Sequence, residues 1–583
     1  MDKVSGGEVI ARMLKNEGVD TVFGIIDGSY LALNFALRRQ GIRLITPRHE
    51  ACAVHMAGAY ARLTGRLGVC LASSGPGVAN ALPGVVVEQA EGNRVLLITS
   101  SRRVGVSNPD RGGTYQYFDQ VGVIAPTAKW SGSVPAFGRI AEFMKRAFRH
   151  SFKGRPGVVH VDVPESIVNG KDAPPPLPRP DSYRLAQPIQ PNTALVERAA
   201  ELLVSAQAPL IHAGSGVIHA QAFDELRKVA ELLHAPVSTS WGARAVLSED
   251  SPSALPMPYV DLLDRARNDA DVLLVLGSRL GETDWWGKAP NWAQAPKQTT
   301  IQVDNDEDIL GLNKPVDVAI LADAKAFLAA LHDALVRRKD GIAAEGRIER
   351  LEGYAKQRSA QRAKLDNHLD DHAEPVNTAH VADLCGEAFG RDAICVLDGG
   401  NTTIWGQFFH HVKEPNTLLM TAKFGMLGAG VAQALGAAAA YPERQVYCII
   451  GDGAMGFNIQ ELETAVRNGL RVVFLVCCDK QWGMVKMTQQ FATHPWKTVL
   501  FKTLKPEETV NTGLGEIRFD RVAEAMGAYG ARVQSPAALK EAIGKAIQSN
   551  TAAVIHIDVD PVKHLWAPNL MTFKKMHQEP AGR

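Results

Sequence analysis

One strand–helix–strand stretch in the last third of the chain constrains the fold more than any other feature. A short apolar run, Gln445–Ile450, breaks at the turn Gly451–Gly453, and a second apolar run, Arg471–Cys477, follows later. Between them the sequence predicts a helix with Asn458 as its N-cap and Gly469 at its C-cap. A βαβ unit of this kind predicts a parallel sheet whose ligand binds at the carboxyl ends of the strands.

Two acids occur at those strand ends, Asp452 within the glycine turn and Asp479 directly after the second strand. Carboxylate oxygens beside glycine amides and a helix N-terminus are suited to a small hard cation such as Mg²⁺ and to the phosphates that it neutralises. An ordinary turn is the alternative explanation for Gly-Asp-Gly alone. The second acid, at the end of the other strand, favours the metal site.

Size and charge limit the remaining classes of protein. The 583 residues predict about three or four domains of ordinary size. The net charge is +1, so nothing electrostatic points to nucleic acid or to an acidic membrane surface as a partner. We find no secretory signal pattern and no apolar run near the ~20 residues of a membrane span. The seven cysteines form no Cys-x-x-Cys pair, which predicts buried thiols in a reducing compartment and a cytoplasmic location.

Helix and strand patterns alternate along most of the chain, and the strands of the first and third regions end in glycine turns. This alternation predicts an α/β fold with three doubly wound parallel-sheet domains. The segment after the first region is rich in proline and is expected to be a linker. The predicted boundaries are 1–170 for the N-terminal domain, 171–191 for the proline-rich linker, 192–335 for the central domain, 336–375 for a helical linker, 376–560 for the third domain and 561–583 for a C-terminal tail or lid.

The stretch from Gly451 to Asp479 resembles the diphosphate-binding motif of thiamine-diphosphate enzymes, which opens with Gly-Asp-Gly and closes near Asn-Asn. The three-domain layout resembles the acetolactate synthase and pyruvate oxidase branch of that family. The resemblance implies a pyrimidine-binding first domain and a third domain that binds diphosphate and Mg²⁺. The implied metal ligands are Asp452, Asp479 and the main-chain carbonyl of Gln481. Cys478 stands where many members have Asn, and it is expected to be a buried filler because Mg²⁺ prefers oxygen ligands.

Glu50 is the candidate catalytic acid. It stands where this family keeps the carboxyl group that shares a proton with the pyrimidine, which makes the neighbouring amino group basic enough to activate the thiazolium. An acid that merely caps a helix is the alternative. The resemblance also implies that the Gly425 carbonyl binds the pyrimidine amine and that Leu427 wedges between the two rings. Further cofactor contacts are implied for Gly451, Gly453 and Ala454. The turn after the predicted strand Ala393–Leu397 offers main-chain amides and hydroxyls to the diphosphate, which makes Gly400, Asn401 and Thr402 candidate contacts. A solvated loop is the alternative for Asn401 and Thr402.

The candidate substrate pocket is drawn from three segments. Its members are Asp27, Gly28, Tyr115, Gln116, Met484 and Val485. Tyr115-Gln116 resembles a Phe-Gln-Glu segment of acetolactate synthases, whereas Asp27 can equally form a turn. Val485 stands where pyruvate decarboxylases carry a proton-handling Glu, so an apolar residue there favours a second carbonyl acceptor over protonation. Thr488 replaces the specificity-setting Trp of acetolactate synthases, which indicates that the acceptor can differ.

These features predict an enzyme, dependent on thiamine diphosphate and Mg²⁺, that makes or breaks a carbon–carbon bond beside a carbonyl. An acetolactate-synthase-like carboligation of a 2-oxo acid is the leading expectation. A 2-hydroxyacyl-coenzyme A lyase or oxalyl-coenzyme A decarboxylase is the alternative, and a cofactor-binding homologue without catalysis is a more distant one. The resemblance also implies FAD or ADP in the central domain, where only two weak glycine turns occur, at 214–216 and 277–281. A homodimer or homotetramer with shared active sites is expected, acting on a small 2-oxo acid or acyl-coenzyme A.

Overall fold

The computed structural model describes residues 2–107, 109–110 and 112–575, with the backbone alone for 573–575. The chain divides into two compact units. The first unit comprises Met1–Gln187, Val431–Pro442 and Asn458–Arg471, and the second comprises Pro188–Gly430, Glu443–Phe457 and Val472–Arg583. No helix among the described residues is both long enough and apolar enough to cross a bilayer.

The first sheet is built from the N-terminal part of the chain. The strands are β1 (Val4–Ser5), β2 (Thr21–Gly24), β3 (Arg43–Ile45), β4 (Gly68–Ala72), β5 (Val95–Ser101), β6 (Trp130–Ser133), β7 (Val158–Pro164) and β8 (Lys171–Asp172). The helices are α1 (Gly6–Asn16), α2 (Leu31–Arg39), α3 (Glu50–Thr64), α4 (Pro76–Glu91), α5 (Val104–Ser107), α6 (Gln120–Ile124), α7 (Ile140–Phe152) and α8 (Glu165–Val168). Six strands form a parallel sheet in the order β3-β2-β4-β5-β7-β6, and β1 pairs with β8 in antiparallel fashion.

The second sheet follows the proline-rich segment. The strands are β9 (Pro209–Ala213), β10 (Val237–Thr239), β11 (Ala254–Leu255), β12 (Val272–Leu276), β13 (Thr299–Asp304) and β14 (Val318–Leu321). The helices are α9 (Thr193–Ser205), α10 (Ser215–His219), α11 (Phe223–Leu233), α12 (Val260–Asp269), α13 (Ala324–Val336) and α14 (Ala344–Asp366). The sheet is parallel throughout, in the order β11-β10-β9-β12-β13-β14.

The third sheet carries the stretch from which the sequence analysis began. The strands are β15 (Ile394–Asp398), β16 (Leu418–Leu419), β17 (Val446–Gly451), β18 (Val472–Cys478), β19 (Tyr529–Val533) and β20 (Ala553–Asp558). The helices are α15 (Ala379–Ala388), α16 (Gly400–Phe409), α17 (Ala429–Ala440), α18 (Asp452–Asn458), α19 (Glu461–Asn468), α20 (Gly483–Thr493), α21 (Pro495–Phe501), α22 (Phe519–Ala525), α23 (Pro536–Gln548), α24 (Pro561–Leu565) and α25 (Leu570–Lys575). The strand order is β16-β15-β17-β18-β20-β19, again all parallel.

Continuous apolar sequence explains why the central strands lie inside their sheets. All seven residues of β18 and all five of β12 are buried, as expected for parallel strands covered by helices on both faces. Alternating sequences would instead expose every second side chain. The predicted fold class, α/β with three doubly wound parallel sheets, is confirmed.

The helix between the two key strands differs from the prediction at its start. Asn458 does not begin the helix. It is the last residue of α18, which starts at Asp452, directly after β17. The Oδ1 atom of Asp452 accepts the N–H of Gly453 at 2.7 Å, and α18 begins within the glycine turn. A short break separates α18 from α19, and Gly469 ends α19 in the left-handed conformation, with φ +65°, as predicted.

The C-terminal segment contributes to the core as far as it is described. Leu565 in α24 and Leu570 in α25 pack in the hydrophobic cluster of the third sheet. Apolar residues spaced along this segment therefore have a packed surface to bury. Residues 576–583 of the predicted tail or lid lie outside the described part of the chain.

All seven cysteines are free thiols and all are buried. Burial raises the pKa of every one of them, because a thiolate is poorly solvated in an apolar interior. Two of them, Cys52 and Cys70, lie in the first unit, and the other five lie in the second. The prediction of buried, unpaired thiols is confirmed.

Candidate functional site

Glu50, the predicted catalytic acid, is the first residue of α3 and is only 9% exposed. Its Oε2 atom accepts a hydrogen bond from the Asn80 side-chain amide at 3.1 Å. Its Oε1 atom lies near Gly77, where an added Cβ would be 3.4 Å away. One carboxyl oxygen is therefore held by an amide donor in a nearly dry setting, which suits a carboxyl group that shares a proton with a ligand.

Asn80 was missed by the sequence analysis. It lies in the second turn of α4, the helix that follows the Gly75-Pro76-Gly77 turn. A polar residue there carries no signal by itself, because only the fold brings α4 alongside α3. The contact between Glu50 and Asn80 joins residues 30 positions apart.

The loop that carries Tyr115 and Gln116 is held against the turn after β4. Gly75 has φ +67°, and a Cβ at this position would lie 2.6 Å from the Gln116 carbonyl oxygen. Gln120, which the sequence analysis also missed, accepts the Gly75 N–H at 2.8 Å and donates to Asp162 at 2.9 Å. The backbone of Gln116 thus approaches the glycine turn, while the Tyr115 side chain is 74% exposed.

Asp27 forms a turn. Its Oδ1 atom accepts the Ser29 N–H at 2.8 Å and caps the 3-10 turn Gly28–Tyr30. Gly28 is exposed and has no atom within 4 Å of an added Cβ. Both residues line an open groove of about 790 Å³ that also contains Leu31 and Phe35. The turn-forming interpretation of Asp27 is confirmed, and the groove leaves space beside it.

Asp452 and Asp479 are the carboxylates at the ends of β17 and β18. The Oδ2 atom of Asp452 accepts the Lys480 N–H at 2.8 Å, which ties the first acid to the turn that carries the second. The Oδ2 atom of Asp479 is buried and has no hydrogen-bond partner among the described residues. Burial raises the pKa of both carboxyl groups, and the charge of Asp479 raises that of Asp452 further.

This pair fits a divalent cation. Burial disfavours the charged form of both carboxylates, and the charge of Asp479 adds to this effect at Asp452. A small hard cation would supply compensating positive charge and prefers such oxygen ligands. Gln481 lies at the same end of the sheet, with its side chain held by Pro561 and Lys486. Cys478 is buried beside His556, its Sγ atom 3.5 Å from Nδ1, as expected for a filler.

Small residues make the surrounding turns compact. An added Cβ at Gly453 would lie 2.7 Å from the Trp482 ring, and one at Gly451 would lie 3.0 Å from the Thr402 hydroxyl. Gly400 begins α16, where an added Cβ would lie 3.1 Å from the Met484 side chain. The N-termini of α16 and α18 therefore lie close to the ends of β15 and β17, and the backbone amides of a helix N-terminus are suited to phosphate oxygens.

Asn401 and Thr402 are buried, so they do not form a solvated loop. The Asn401 Oδ1 atom has no hydrogen-bond partner among the described residues. Its Nδ2 atom would lie 2.8 Å from a Cβ added at Gly483, and Asp479 Oδ2 would lie 3.4 Å from the same point. Asn401 and Asp479 thus both lie near Gly483, and each has a buried oxygen that accepts no hydrogen bond from the residues that the structure describes.

The remaining predicted residues belong to the second unit, and all of them except Ala454 are exposed or half-buried. Gly425 is exposed with φ +64°, and Leu427 is half-buried just before α17. Met484 is half-buried, and Val485, the next residue of α20, is 52% exposed. Ala454 is buried in α18. Leu427, Met484 and Val485 therefore offer apolar surface that is not fully covered by the chain.

His564 is a further buried residue that the sequence analysis missed. Its Nε2 atom lies 3.2 Å from the Thr402 hydroxyl and its Nδ1 atom 2.7 Å from the Thr378 hydroxyl. Burial lowers the pKa of His564 to about 4, so the ring is neutral and orients Thr402 by hydrogen bonding. Its position in the predicted tail gave no sign of this contact.

Another cluster of possible metal ligands, two acids and a histidine, is already neutralised by an arginine. Glu516, His556 and Asp558 approach one another closely, but the Arg532 guanidinium binds Asp558 at 2.7 and 2.9 Å and Glu516 at 2.9 Å. A fixed cation already neutralises these carboxylates, so a metal ion would compete with it at close range.

The glycine turns of the central domain do not cradle a pyrophosphate. The amides of Gly214, Gly216 and Gly277 donate to carbonyl oxygens of the chain, at 2.8 to 3.0 Å. A Cβ added at Gly216 would lie 2.6 Å from Gly277, so the two turns also pack directly together. Neither turn is assigned to FAD or ADP, and a nucleotide in this domain stays a prediction.

The chain belongs to the thiamine pyrophosphate enzymes. The N-terminal thiamine pyrophosphate binding domain of that family matches residues 4–123, its central domain matches 196–331, and its C-terminal thiamine pyrophosphate binding domain matches 398–557. Together these matches cover most of the chain. The prediction of a thiamine-diphosphate-dependent enzyme is confirmed.

Several relatives are similar to this chain along most or all of their length. The chain is 28% identical to the acetolactate synthase isozyme 3 large subunit of Escherichia coli, over 97% of this chain and 96% of the relative. It is 28% identical to the acetolactate synthase large subunit of Haemophilus influenzae, over 99% and 100%. For the acetolactate synthase large subunit of Parasynechococcus marenigrum the identity is 29%, over 95% and 88%.

Proposed function

We propose that this protein is a thiamine-diphosphate- and Mg²⁺-dependent carboligase that joins a fragment of a 2-oxo acid, after loss of carbon dioxide, to a second carbonyl compound. The observation that carries the proposal is the full-length similarity to relatives named acetolactate synthase large subunit. When bound, thiamine diphosphate supplies a nucleophilic carbon and holds the electron pair that is released when carbon dioxide leaves.

Glu50 is the residue that we assign to proton transfer. Its carboxyl group is nearly buried, with Asn80 occupying Oε2, which leaves Oε1 to share a proton with a ring nitrogen of the pyrimidine. A carboxyl group in this role makes the pyrimidine amine a general base. The hydrogen bond from Asn80 would limit rotation of the Glu50 carboxyl group when the cofactor is bound.

Asp452, Asp479 and the main-chain carbonyl of Gln481 are proposed to hold Mg²⁺. The buried Oδ2 atom of Asp479 has no hydrogen-bond partner in the described part of the chain, and both acids have raised pKa values, so a cation relieves an unfavourable burial of charge. The bound ion would in turn neutralise the diphosphate. We assign the diphosphate contacts to the turns that contain Gly400, Asn401, Thr402, Gly451, Gly453 and Ala454.

Leu427 and Gly425 are proposed to position the two rings of the cofactor. A half-buried leucine just before α17 can support a bent molecule, and the exposed Gly425 leaves its backbone accessible to an amine. We assign the substrate pocket to Asp27, Gly28, Tyr115, Gln116, Met484 and Val485. The apolar side chain of Val485 supplies no proton, which favours attack on an acceptor.

A substrate panel tests this function directly. Purified protein with thiamine diphosphate and Mg²⁺ is incubated with pyruvate, with pairs of 2-oxo acids, and with 2-hydroxyacyl-coenzyme A and oxalyl-coenzyme A. Release of carbon dioxide from pyruvate with formation of a 2-hydroxy-2-methyl-3-oxo acid supports the proposal. Turnover of the coenzyme A thioesters alone would replace it by the lyase or decarboxylase alternative, and no turnover of any substrate would favour a non-catalytic homologue.

Val485 can be tested as the residue that excludes protonation. We expect Val485→Glu to raise the ratio of aldehyde to ligation product from pyruvate by about 10-fold, because a positioned acid accelerates proton transfer. Val485→Gln matches the size of the new side chain but carries no acid, and it should leave the ratio near that of the unmodified enzyme. Product analysis by proton NMR measures both. An equal change in the two variants would refute the assigned role.

Shared active sites are proposed for a homodimer or homotetramer, with Glu50 from one subunit and the metal ligands from another. Mixing inactive Glu50→Gln and inactive Asp479→Asn chains after reversible dissociation tests this arrangement. Random pairing should restore about a quarter of the unmodified activity, because half of the dimers are mixed and each mixed dimer carries one intact site. The measurement is turnover before and after mixing. No recovery, despite mixed dimers detected by native mass spectrometry, would place each site within one chain.

A further inference from the structure

Glu461 is a fully buried carboxylate that the proposed reaction does not use. It is the first residue of α19 and belongs to the first unit, although in sequence it lies between the two proposed metal ligands, Asp452 and Asp479. Its Oε1 and Oε2 atoms accept the Arg48 N–H at 3.0 and 3.1 Å. It also accepts hydrogen bonds from the His49 N–H and the Cys52 thiol. These donors all belong to the segment that carries Glu50.

The start of α3 is thereby fixed on both sides of Glu50. Glu461 binds the amides of the two preceding residues, and the His49 ring accepts the Ala51 N–H at 3.2 Å. A helix N-terminus has unsatisfied amides and a partial positive charge, so a carboxylate beside it is stabilised. Thr464, one turn later in α19, donates its hydroxyl to Glu461 Oε2 at 2.7 Å and holds the carboxylate in place.

Helix α19 makes hydrogen bonds to the segment from β3 to α3 at two further points. The Arg467 guanidinium donates to the Thr46 hydroxyl and carbonyl oxygens, at 2.7 Å each. The Arg43 guanidinium donates to the Asn468 carbonyl oxygen at 2.9 Å. Hydrogen bonds to α19 therefore hold the segment from β3 to α3 at several points. Among the α19 residues that make them, Glu461 binds nearest in sequence to Glu50.

We propose that Glu461 is a positioning residue for Glu50: through the backbone amides of residues 48 and 49 it holds the catalytic carboxyl group at the distance and angle that proton transfer requires. The inference rests on the proposed function of Glu50. A buried glutamate that only stabilised the fold would affect unfolding alone, whereas a positioning residue also changes the rate of proton transfer in protein that remains folded.

The test measures the rate at which the reactive ring proton of bound thiamine diphosphate exchanges with deuterium, by quenched-flow proton NMR. In Glu461→Gln one acceptor oxygen becomes an amide that faces N–H donors. We expect exchange to slow on the order of 100-fold, the cost of misplacing a reacting group by about 1 Å. The dissociation constant for thiamine diphosphate with Mg²⁺ should change less than about 3-fold, because the metal ligands are intact.

Two further variants keep the test decisive. Glu8→Gln alters another buried carboxylate of the first unit, one that binds Arg12, Arg39 and Gln40 away from the Glu50 segment; it should lower the unfolding temperature but leave exchange unchanged. Thr464→Val removes only the hydroxyl that holds Glu461 and should slow exchange less than Glu461→Gln does. If Glu461→Gln fails to fold, Thr464→Val carries the test.

The outcomes separate the inference from the function on which it rests. Slow exchange in both Glu50→Gln and Glu461→Gln supports both. Slow exchange in Glu50→Gln with unmodified exchange in Glu461→Gln and in Thr464→Val overturns the positioning role and leaves the function of Glu50 standing. Unmodified exchange in Glu50→Gln overturns the proposed function itself.

Discussion

Replacement of Glu50 by Gln is expected to lower kcat by about 1000-fold, within the range by which positioned acids and bases accelerate reactions. The amide has nearly the same shape, so the hydrogen bond from Asn80 and the packing at the start of α3 can persist. It has no exchangeable carboxyl proton to share with the pyrimidine. The loss should therefore appear in turnover and in cofactor proton exchange, and the affinity for thiamine diphosphate should change little.

Steady-state kinetics with pyruvate and calorimetry with thiamine diphosphate and Mg²⁺ measure the two quantities. Glu50→Asp is the matched control, because it keeps an acid but retracts it by one methylene group. It should retain more activity than Glu50→Gln. Comparable turnover in the Gln variant and the unmodified enzyme would contradict the assignment, as would a loss of activity explained entirely by weaker cofactor binding.

The second large effect concerns the metal and its dependence on pH. Burial raises the pKa of Asp452 and of Asp479, so in the metal-free protein the pair binds protons more tightly when folded than when unfolded. Its contribution to stability is present below the ordinary carboxyl pKa of about 4 and is lost as the pH rises through the raised values. Mg²⁺ binds the charged form, so the stabilisation that it gives should grow over the same pH window.

We expect the increase in Tm on adding Mg²⁺ to be clearly larger at pH 7.5 than at pH 5.5. Asp452→Asn and Asp479→Asn each remove one charge, and each should weaken Mg²⁺ binding by at least about 100-fold, since even outer contacts of a metal site are worth 10 to 100-fold. Differential scanning calorimetry with and without Mg²⁺ provides the measurement. Asp558→Asn, in the cluster that Arg532 neutralises, is the control and should keep the Mg²⁺ effect. A Tm increase that is equal at both pH values would refute the metal assignment.

The parts of the fold that the sequence predicted are those set by local patterns. Strands β17 and β18 are continuous apolar runs, and such runs are read correctly because both faces of a parallel strand are buried. Gly469 was predicted because a left-handed residue ends a helix and glycine adopts that conformation at little cost. The start of the helix was wrong because Asp452 opens a helix within the glycine turn, ahead of the N-cap signal at Asn458.

The parts of the site that the sequence did not predict depend on contacts between distant segments. Asn80 reaches Glu50 across 30 residues, His564 reaches Thr402 across 162, and Glu461 reaches the Arg48 amide across 413. None of these residues stands in a pattern that distinguishes it from a surface polar residue. Their roles follow from helix packing, which brings polar side chains to buried backbone amides that must be satisfied.

Because every thiol is buried, the rate at which a reagent alkylates the cysteines of this enzyme reports how often the chain opens locally. A reagent that alkylates thiolates has almost nothing to attack while the chain stays closed, because each sulfur is both covered and held in its protonated form. Labelling at Cys70 would then time the opening of the first unit, and labelling at Cys477 that of the second. Mass spectrometry of the labelled peptides would measure the labelling rates at both cysteines in one protein without substitutions, with and without its cofactors.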